Sequence, residues 1–415
     1  MTIKDIKDWL HDRESRIFIG LLVFMSLWAL LISLSYSPSI LNERTLARIY
    51  NKNDLWLFYR QLFNVLTGLS LFVLMQRLDM ARLAKQKWIY LAAAVALCGA
   101  PLVHFIGYSV NGASRWVKIA NGQYIGSFLI HSGLWASVFF VVFISAFFAK
   151  ENSQPTKKSL SIILAIYLLM NILLIAQPDM PMSIMLFVLS VITLLFFEYR
   201  KTAGVLFLLW MLLLIKAMSV PYRFNRIMMF LNPYEDAQGI GFHLVQSFSA
   251  IQQGGLFGSA LQGKSNPSVL LPAANTDFVF SFTAEQYGLA GMVIMLTACL
   301  SFFYFAVRAG MKARSRFEAN LTFLLAAMCM AMNVISMCVS IGMLPTMGMP
   351  MPFFSYGGGT VVLGFLAAGM IYRQLRDKEA EQNLLHIQSG KIMMIASGFC
   401  IIVLIRAVGV VCQSY

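Results

Sequence analysis

The stretch from Leu271 to Val307 reads LPAANTDFVFSFTAEQYGLAGMVIMLTACLSFFYFAV. It opens with a polar segment that ends in Asp277, and it continues as an apolar run in which Glu285 is the one charged residue. A helix needs about 20 mostly apolar residues to cross the hydrocarbon core of a bilayer. The stretch therefore predicts a membrane-spanning helix with a carboxylate at its N-terminal end.

Runs of this kind recur along the whole chain of 415 residues, of which 59% are hydrophobic and 12% charged. Their length is typical of helices rather than of the short alternating strands of a membrane barrel. We therefore predict an all-α polytopic membrane protein with ten transmembrane helices and an eleventh near the C-terminus. The predicted spans are 17–37, 56–76, 88–108, 124–149, 159–176, 180–198, 203–220, 280–307, 319–343, 356–373 and 392–411. We expect the first span to be retained, because its apolar part is longer than that of a cleavable signal.

The net charge of +14 reflects topology rather than a nucleic-acid partner. Basic residues gather in alternate short connections, after the second, fourth, sixth, eighth and tenth spans. That distribution is typical of cytoplasmic loops. It predicts a cytoplasmic N-terminus and an outer position for the odd-numbered connections, although Arg44, Arg48 and Lys52 in the first outer connection depart from the pattern.

Cysteine and histidine residues predict no site of their own. The six cysteines lie in or at the ends of apolar spans, and no C-x-x-C pair occurs, so neither a disulfide framework nor a zinc site is expected. The five histidines are scattered, which gives no reason to expect a metal site built on them.

One outer connection, residues 221–279, is far longer than the rest and is neither low in complexity nor highly charged. We predict an ordered cap here. Within it Phe242, Val245, Phe248 and Ile251 recur every third residue, and Leu244 lies four before Phe248, which indicates a surface helix with a broad apolar face. Tyr222, Arg223 and Arg226 place two guanidinium groups at the membrane surface, where they either bind a diphosphate or position the preceding helix end.

Seven ordered motifs give the chain a resemblance to a known family. They are YSPSI, YRQL, NGASRW, QPD, YRFNRIMMFLNPYEDAQGIGFHLVQS, LPAANTDF and GMLPTMGMPMPFFSYGGG. In this order, and with these placements, the chain resembles the SEDS family (shape, elongation, division and sporulation) over about residues 17–376. It is closer to the FtsW type of member than to the RodA type. Residues 1–376 then form the membrane domain, and residues 377–415 form a tail with the additional helix.

The resemblance implies a peptidoglycan glycosyltransferase that polymerises lipid II at the outer face of the bacterial cytoplasmic membrane during cell division. The 4-hydroxyl of one sugar attacks C1 of another, and a polyprenyl diphosphate leaves. The implied partners are lipid II, a class B penicillin-binding transpeptidase and other division proteins, with no nucleic acid. No cofactor follows from the motifs, and the reaction leaves a divalent cation open.

The resemblance also implies roles for individual residues. Asp277 matches the proposed catalytic acid, with Thr276 beside it and Asp179 of QPD in support. The alternatives for Asp277 are a helix cap or a pair with an outer arginine. Glu285 matches a family acid, and its alternative is a structural pair with Lys216. The diphosphate-binding candidates are Arg115, Arg223, Arg226 and Lys264, together with Ser355, Tyr356, Gly357 and Gly358, whose amides also suit close helix packing.

The chain departs from the family pattern around these residues. The usual LPExHTD has Ala273 in place of its acid and Asn275 in place of its histidine, and the usual QPxExxK has Ile125, Gly126, Phe128 and His131 at its four defined positions. Two other functions stay open: a lipid II flippase, which uses the same arginines and helix count, and a catalytically weakened division scaffold, which the missing acids favour.

Overall fold

The computed structural model describes residues 13–41, 55–85, 108–110, 113–118, 129–150, 157–261, 271–376 and 389–412. The predicted third span lies almost entirely outside these ranges. Among the described residues, five helices are long and apolar enough to cross a membrane, and shorter apolar helices accompany them.

Helices form most of the described chain. In chain order they are α1 (Arg13–Leu41), α2 (Trp56–Arg77), α3 (Met80–Leu83), α4 (Ser132–Lys150), α5 (Lys157–Ala176), α6 (Met180–Phe196), α7 (Arg200–Ala217), α8 (Pro221–Leu231), α9 (Phe242–Gly254), α10 (Gly258–Leu261), α11 (Val279–Met311), α12 (Arg316–Ser340), α13 (Gly358–Leu375) and α14 (Ser389–Cys412). Apart from the third and fourth, the predicted spans coincide with helices to within four residues at each end. The helical architecture expected from composition is confirmed.

The predicted start of the fourth span is wrong, because a small sheet occupies part of it. Strands β1 (Tyr108–Val110), β2 (Ala113–Lys118) and β3 (Leu129–His131) pair antiparallel in the order β1-β2-β3. Trp116 is paired with His131, and Lys118 with Leu129. Because the backbone of residues 129–131 serves this ladder, the helix begins only at Ser132.

Helix α12 is the centre of the bundle. Nearly every residue from Phe317 to Ser340 is buried, since α4, α6, α11 and α13 all pack around it. Helix α13 also packs closely on α2, where a Cβ at Gly369 would contact Met75 and Phe72. A helix that is apolar all round is expected in such a central position.

The cap consists of α8, α9 and α10, and α9 packs mainly on α11. The buried residues of α9 are Leu244, Ser247, Ala250, Ile251 and Gly254. The buried face of α9 is therefore centred differently from the predicted apolar face. Phe242, Val245 and Phe248 are only partly buried. The reason is close approach: the backbone at Gly254 lies so near the Ala284 carbonyl that a Cβ would not fit. The small residues Ser247, Ala250 and Gly254 therefore share the buried face with Leu244 and Ile251.

Helix α11 is broken at Gly288, which has φ 67° and ψ −164°. A positive φ of this kind suits glycine. The break leaves the amides that follow it without partners inside the helix, and backbone carbonyls of the cap accept hydrogen bonds from them. Leu289 N–H donates to Gly255 O at 2.9 Å, and Ala290 N–H donates to Leu256 O at 3.2 Å. The predicted continuous span is therefore two helical pieces joined to the cap.

At the other end of α11, Arg308 and Lys312 bind Glu14 of α1 at 2.5 and 2.8 Å. Helix α14, beyond the family-like region, packs on α9, α11 and α12. A helix therefore exists where the eleventh span was predicted, and its crossing of the membrane stays a prediction.

Candidate active site

Asp277 lies at the end of a tight turn before α11. The amides of Thr276, Asp277 and Phe278 all donate to the Ala273 carbonyl, at 3.0, 3.0 and 3.2 Å. Ala273 has a φ of 53°, which turns the chain sharply. The N-cap of α11 is Phe278, and no side chain caps the helix. Asp277 therefore does not act as the helix cap, and its carboxylate is left for another role.

Three contacts from distant parts of the chain hold this turn. The Ser355 hydroxyl donates to the Thr276 carbonyl at 2.6 Å, and the Tyr356 amide donates to the Asn275 carbonyl at 2.7 Å. The Ser336 hydroxyl, from α12, donates to the Asp277 carbonyl at 3.3 Å. The backbone around Asp277 is thus fixed by α12 and by the segment before α13.

The carboxylate itself packs against a glycine of the loop between α12 and α13. A Cβ at Gly348 would lie 3.1 Å from Oδ2 of Asp277. Burial raises the pKa of the Asp277 carboxyl to about 6, while a hydrogen bond from Thr276 and the charge of Arg226 oppose the rise. A carboxyl with a pKa near neutral suits a general base.

Arg226 and Arg223, adjacent on α8, serve different places. Arg226 donates to the Thr346 carbonyl at 3.2 Å, in the same loop as Gly348, and so lies near Asp277. Arg223 donates to the Ile175 carbonyl at 2.9 Å and to the Ala217 carbonyl at 3.4 Å. Arg223 therefore holds the ends of α5 and α7, as the positioning alternative predicts, and Arg226 is the arginine of α8 that lies near Asp277.

The SYGGG segment also divides between roles. Ser355 is fully buried, and its hydroxyl accepts from the Met351 amide while donating to Thr276. The amide of the next residue, Tyr356, donates to the Asn275 carbonyl. Ser355 and Tyr356 therefore both hold the turn that carries Asp277. Helix α13 begins at Gly358, with Gly357 before it as the N-cap residue. Gly359 packs on Leu134 of α4, where a Cβ would lie 3.1 Å from Cδ2.

Glu285 is buried in the first piece of α11, one turn before the break. Among the described residues its Oε1 has no hydrogen-bond partner, and no ion pair joins it to Lys216. Its backbone carbonyl accepts from the Ser259 hydroxyl at 2.9 Å. The structural pair with Lys216, the alternative to a functional role for Glu285, is therefore not formed in the described structure.

Asp179 faces His131, whose Nε2 lies 3.5 Å from its Oδ2. Lys264 lies outside the described residues, and for Arg115 only the backbone, in β2, is described. In the described part of the chain, no group of three or more histidine, cysteine or acidic residues could hold a metal ion.

Two residues near the site were not assigned roles from the sequence. The His243 ring stacks on Phe278, with 6.1 Å between centroids, and burial together with the charge of Arg226 lowers the pKa of its imidazole. The Arg60 guanidinium lies 5.6 Å from the Tyr356 ring centroid. Arg60 belongs to the YRQL motif, so the motif itself was the available signal.

Comparison with known proteins decides the family. The sequence model of the cell cycle protein family FtsW/RodA/SpoVE matches residues 16–380. The chain belongs to the FtsW/RodA/SpoVE family. Like its relatives, this FtsW/RodA/SpoVE member is an integral membrane protein.

Several curated relatives bear the name probable peptidoglycan glycosyltransferase FtsW. The protein from Haemophilus ducreyi is 32% identical over 285 residues, which cover 65% of this chain and 68% of the relative. The protein from Wigglesworthia glossinidia brevipalpis is 29% identical over 384 residues, covering 89% and 94%. The similarity to FtsW-type members is therefore confirmed.

Solved structures share the fold. A chain of a peptidoglycan synthase complex, described as coordinating polymerization and crosslinking, superposes with a TM-score of 0.66 at 22% identity, covering 88% of this chain and 98% of that one. The rod shape determining protein RodA of Thermus thermophilus gives a TM-score of 0.61 at 19% identity, covering 87% and 96%. At these identities the likeness is one of fold.

Proposed function

We propose that this protein is a peptidoglycan glycosyltransferase that polymerises lipid II at the outer face of the bacterial cytoplasmic membrane during cell division. The observation that carries the proposal is the fixed carboxylate of Asp277, with a pKa near 6, close to Arg226 in a chain of this family. The names of the curated relatives support the same reaction.

In the proposed reaction, the Asp277 carboxylate accepts the proton of the 4-hydroxyl of the acceptor sugar. The oxygen then forms a bond to C1 of the donor sugar, and the bond from C1 to the diphosphate oxygen breaks with its electron pair on the diphosphate. Arg226 supplies positive charge for that leaving group. The reaction needs the sugar at the membrane surface, because its lipid stays in the bilayer.

Proposed partners follow from the same relationship. A structural relative belongs to a complex that coordinates polymerization and crosslinking, which supports a class B penicillin-binding transpeptidase as partner. We expect the N-terminus on the cytoplasmic side, because the basic residues that gather after the second, fourth, sixth, eighth and tenth spans then face the cytoplasm. A divalent cation that neutralises the diphosphate is compatible with this chemistry and is an expectation without a described protein site.

Two of the departures from the family pattern, at Ala273 and Asn275, lie directly in the Asp277 turn. Ala273 replaces an acid, and its carbonyl accepts the three amides of the turn. Asn275 replaces a histidine, and its carbonyl binds the Tyr356 amide. In both cases the described contacts are made by the backbone, so the fold of the turn does not depend on the missing side chains. This supports an active polymerase in which Asp277 works without neighbouring acids.

The test is polymerisation of purified lipid II by the full-length protein with a partner transpeptidase, for the wild type, Asp277→Ala and Asp277→Asn. Glycan strands from the wild type and none from either monodisperse variant are expected. Lipid II movement across liposomes that survives Asp277→Ala would instead establish a flippase. Neither activity, with retained binding to division proteins, would establish a scaffold.

A further inference from the structure

A second acid–histidine contact lies where β3, α4 and α6 meet. Asp179 is fully buried directly before α6, and its Oδ2 is 3.5 Å from Nε2 of His131, at the end of β3. The carboxylate also packs on the start of α4, since a Cβ at Gly133 would lie 2.5 Å from Oδ2. Neither carboxylate oxygen has a hydrogen-bond partner in the described part of the chain. In that described part, His131 is a polar group that faces this buried acid.

The other nitrogen of His131 shows which form of the ring fits. Nδ1 accepts a hydrogen bond from the Leu134 amide at 3.3 Å, so it carries no proton in this arrangement. A neutral imidazole then carries its proton on Nε2, the nitrogen that faces Asp179. His131 thus satisfies a free amide at the start of α4 through one nitrogen and directs an N–H toward Asp179 through the other.

The start of α4 is in contact with the segment that holds the Asp277 turn. Leu134, whose amide binds His131, packs on Gly359 in the first turn of α13. Directly before α13, Ser355 and Tyr356 make the two hydrogen bonds to the Thr276 and Asn275 carbonyls. A displacement of α4 would therefore be transmitted through α13 to the backbone of Asp277.

We propose that His131 and Asp179 form a positioning pair that sets α4, and through α13 the Asp277 turn, for the glycosyltransferase reaction. This inference rests on the proposed function. Loss of the imidazole leaves a buried carboxylate without its facing donor, which is more disruptive than replacement of both partners by neutral groups. Glutamine at position 131 offers an acceptor for the Leu134 amide and a donor for Asp179, so it preserves the arrangement.

The experiment compares lipid II polymerisation by full-length wild type, His131→Ala, His131→Gln and the double variant His131→Ala/Asp179→Asn. We expect His131→Ala to lower the turnover number by about tenfold, with the half-saturating lipid II concentration changed less than about twofold, because the catalytic turn is misplaced while binding residues stay. His131→Gln recovers most of the rate. The double variant is faster than His131→Ala, because asparagine replaces a lone buried carboxylate.

His386→Ala, in the tail beyond the matched family region, is the control and keeps the wild-type rate. Rates are taken per monodisperse protein, so that a folding defect of His131→Ala is separated from a slow reaction. If His131→Ala itself does not fold, the rates of His131→Gln and of the double variant are compared with that of the wild type. A rate close to the wild type for His131→Gln supports the pair, and rates about tenfold lower for both variants overturn it.

Two results would overturn the pair: a wild-type rate for His131→Ala, or a His131→Gln variant and a double variant that are both as impaired as His131→Ala. Either result, with an active wild type and an inactive Asp277→Ala, leaves the proposed function standing. An inactive wild type instead removes the proposed function, and with it this role for the pair.

Discussion

The Ser355 hydroxyl donates a 2.6 Å hydrogen bond to the Thr276 carbonyl, across 79 positions of sequence. The same hydroxyl accepts from the Met351 amide at 2.7 Å. One buried side chain thus joins the SYGGG motif to the turn that carries Asp277. The two motifs, separate in sequence, form one hydrogen-bonded unit at the candidate active site.

Replacement of Ser355 by alanine should weaken that unit. The Thr276 carbonyl and the Met351 amide would both lose a partner, and an unsatisfied buried polar group costs about 1 to 3 kcal/mol. We expect a lower unfolding temperature in detergent and a slower polymerisation rate. Ser145→Ala is the matched control, because Ser145 is equally buried but its hydroxyl donates to the Val141 carbonyl of its own helix. Equal effects of the two substitutions would show that the link between motifs has no special importance.

The rate of polymerisation should rise with pH through about 6. Asp277 accepts a proton in the proposed reaction, so its deprotonated form is the active one, and burial places the pKa of its carboxyl at about 6. Arg226→Gln removes a positive charge that lowers this pKa, so the rise should move to higher pH. The measurement is the initial rate with lipid II across about pH 5 to 8.

Two control variants separate the groups that titrate in this range. Arg226→Lys keeps the positive charge and should leave the pH midpoint close to that of the wild type. His243→Gln removes an imidazole that Arg226 also influences, and the rise assigned to Asp277 should persist in it. A pH midpoint that disappears in His243→Gln would assign the titration to the imidazole instead.

Gly254→Ala should separate the cap from α11. A Cβ at this position has no space beside the Ala284 carbonyl, and overpacking of a close contact costs about 1 to 3 kcal/mol. Because Glu285 directly follows Ala284, we expect both stability and activity to fall. Gly204→Ala is the control, since nothing lies within 4 Å of a Cβ there. Unfolding in detergent measures the stability of both variants, and lipid II polymerisation measures their activity. An unaffected Gly254→Ala would contradict the close packing of α9 on α11.

Glu285→Gln should lower the polymerisation rate, as the functional role implied by the family resemblance requires, without lowering stability. The carboxylate is buried with Oε1 unpartnered, so the neutral amide removes the cost of a buried charge. Lys216→Met should leave both properties near wild type, because no ion pair joins Lys216 to Glu285 in the described structure. A shared loss of stability in both variants would restore the structural pair that was an alternative for Glu285.

The fourth span shows where local pattern fails. Residues 124–149 are apolar enough to predict one helix, but Leu129–His131 form a strand because Trp116–Lys118 are available as a partner. Strand pairing depends on a second segment, so a window of hydropathy along one segment carries no information about it. The break of α11 at Gly288 was missed for a similar reason, since the amides it frees are satisfied by the cap.

The sequence by itself determined a helical membrane protein of the FtsW/RodA/SpoVE family, because apolar runs of membrane-spanning length and ordered motifs are local properties of the chain. It also singled out Asp277 as the acid to examine. Only the tertiary structure decided that Arg226 lies near that acid while Arg223 holds helix ends, that Ser355 and Tyr356 support its turn, and that Asp179 faces His131. These relationships join residues far apart in the chain, and the packing of helices on α12 and α13 brings them together.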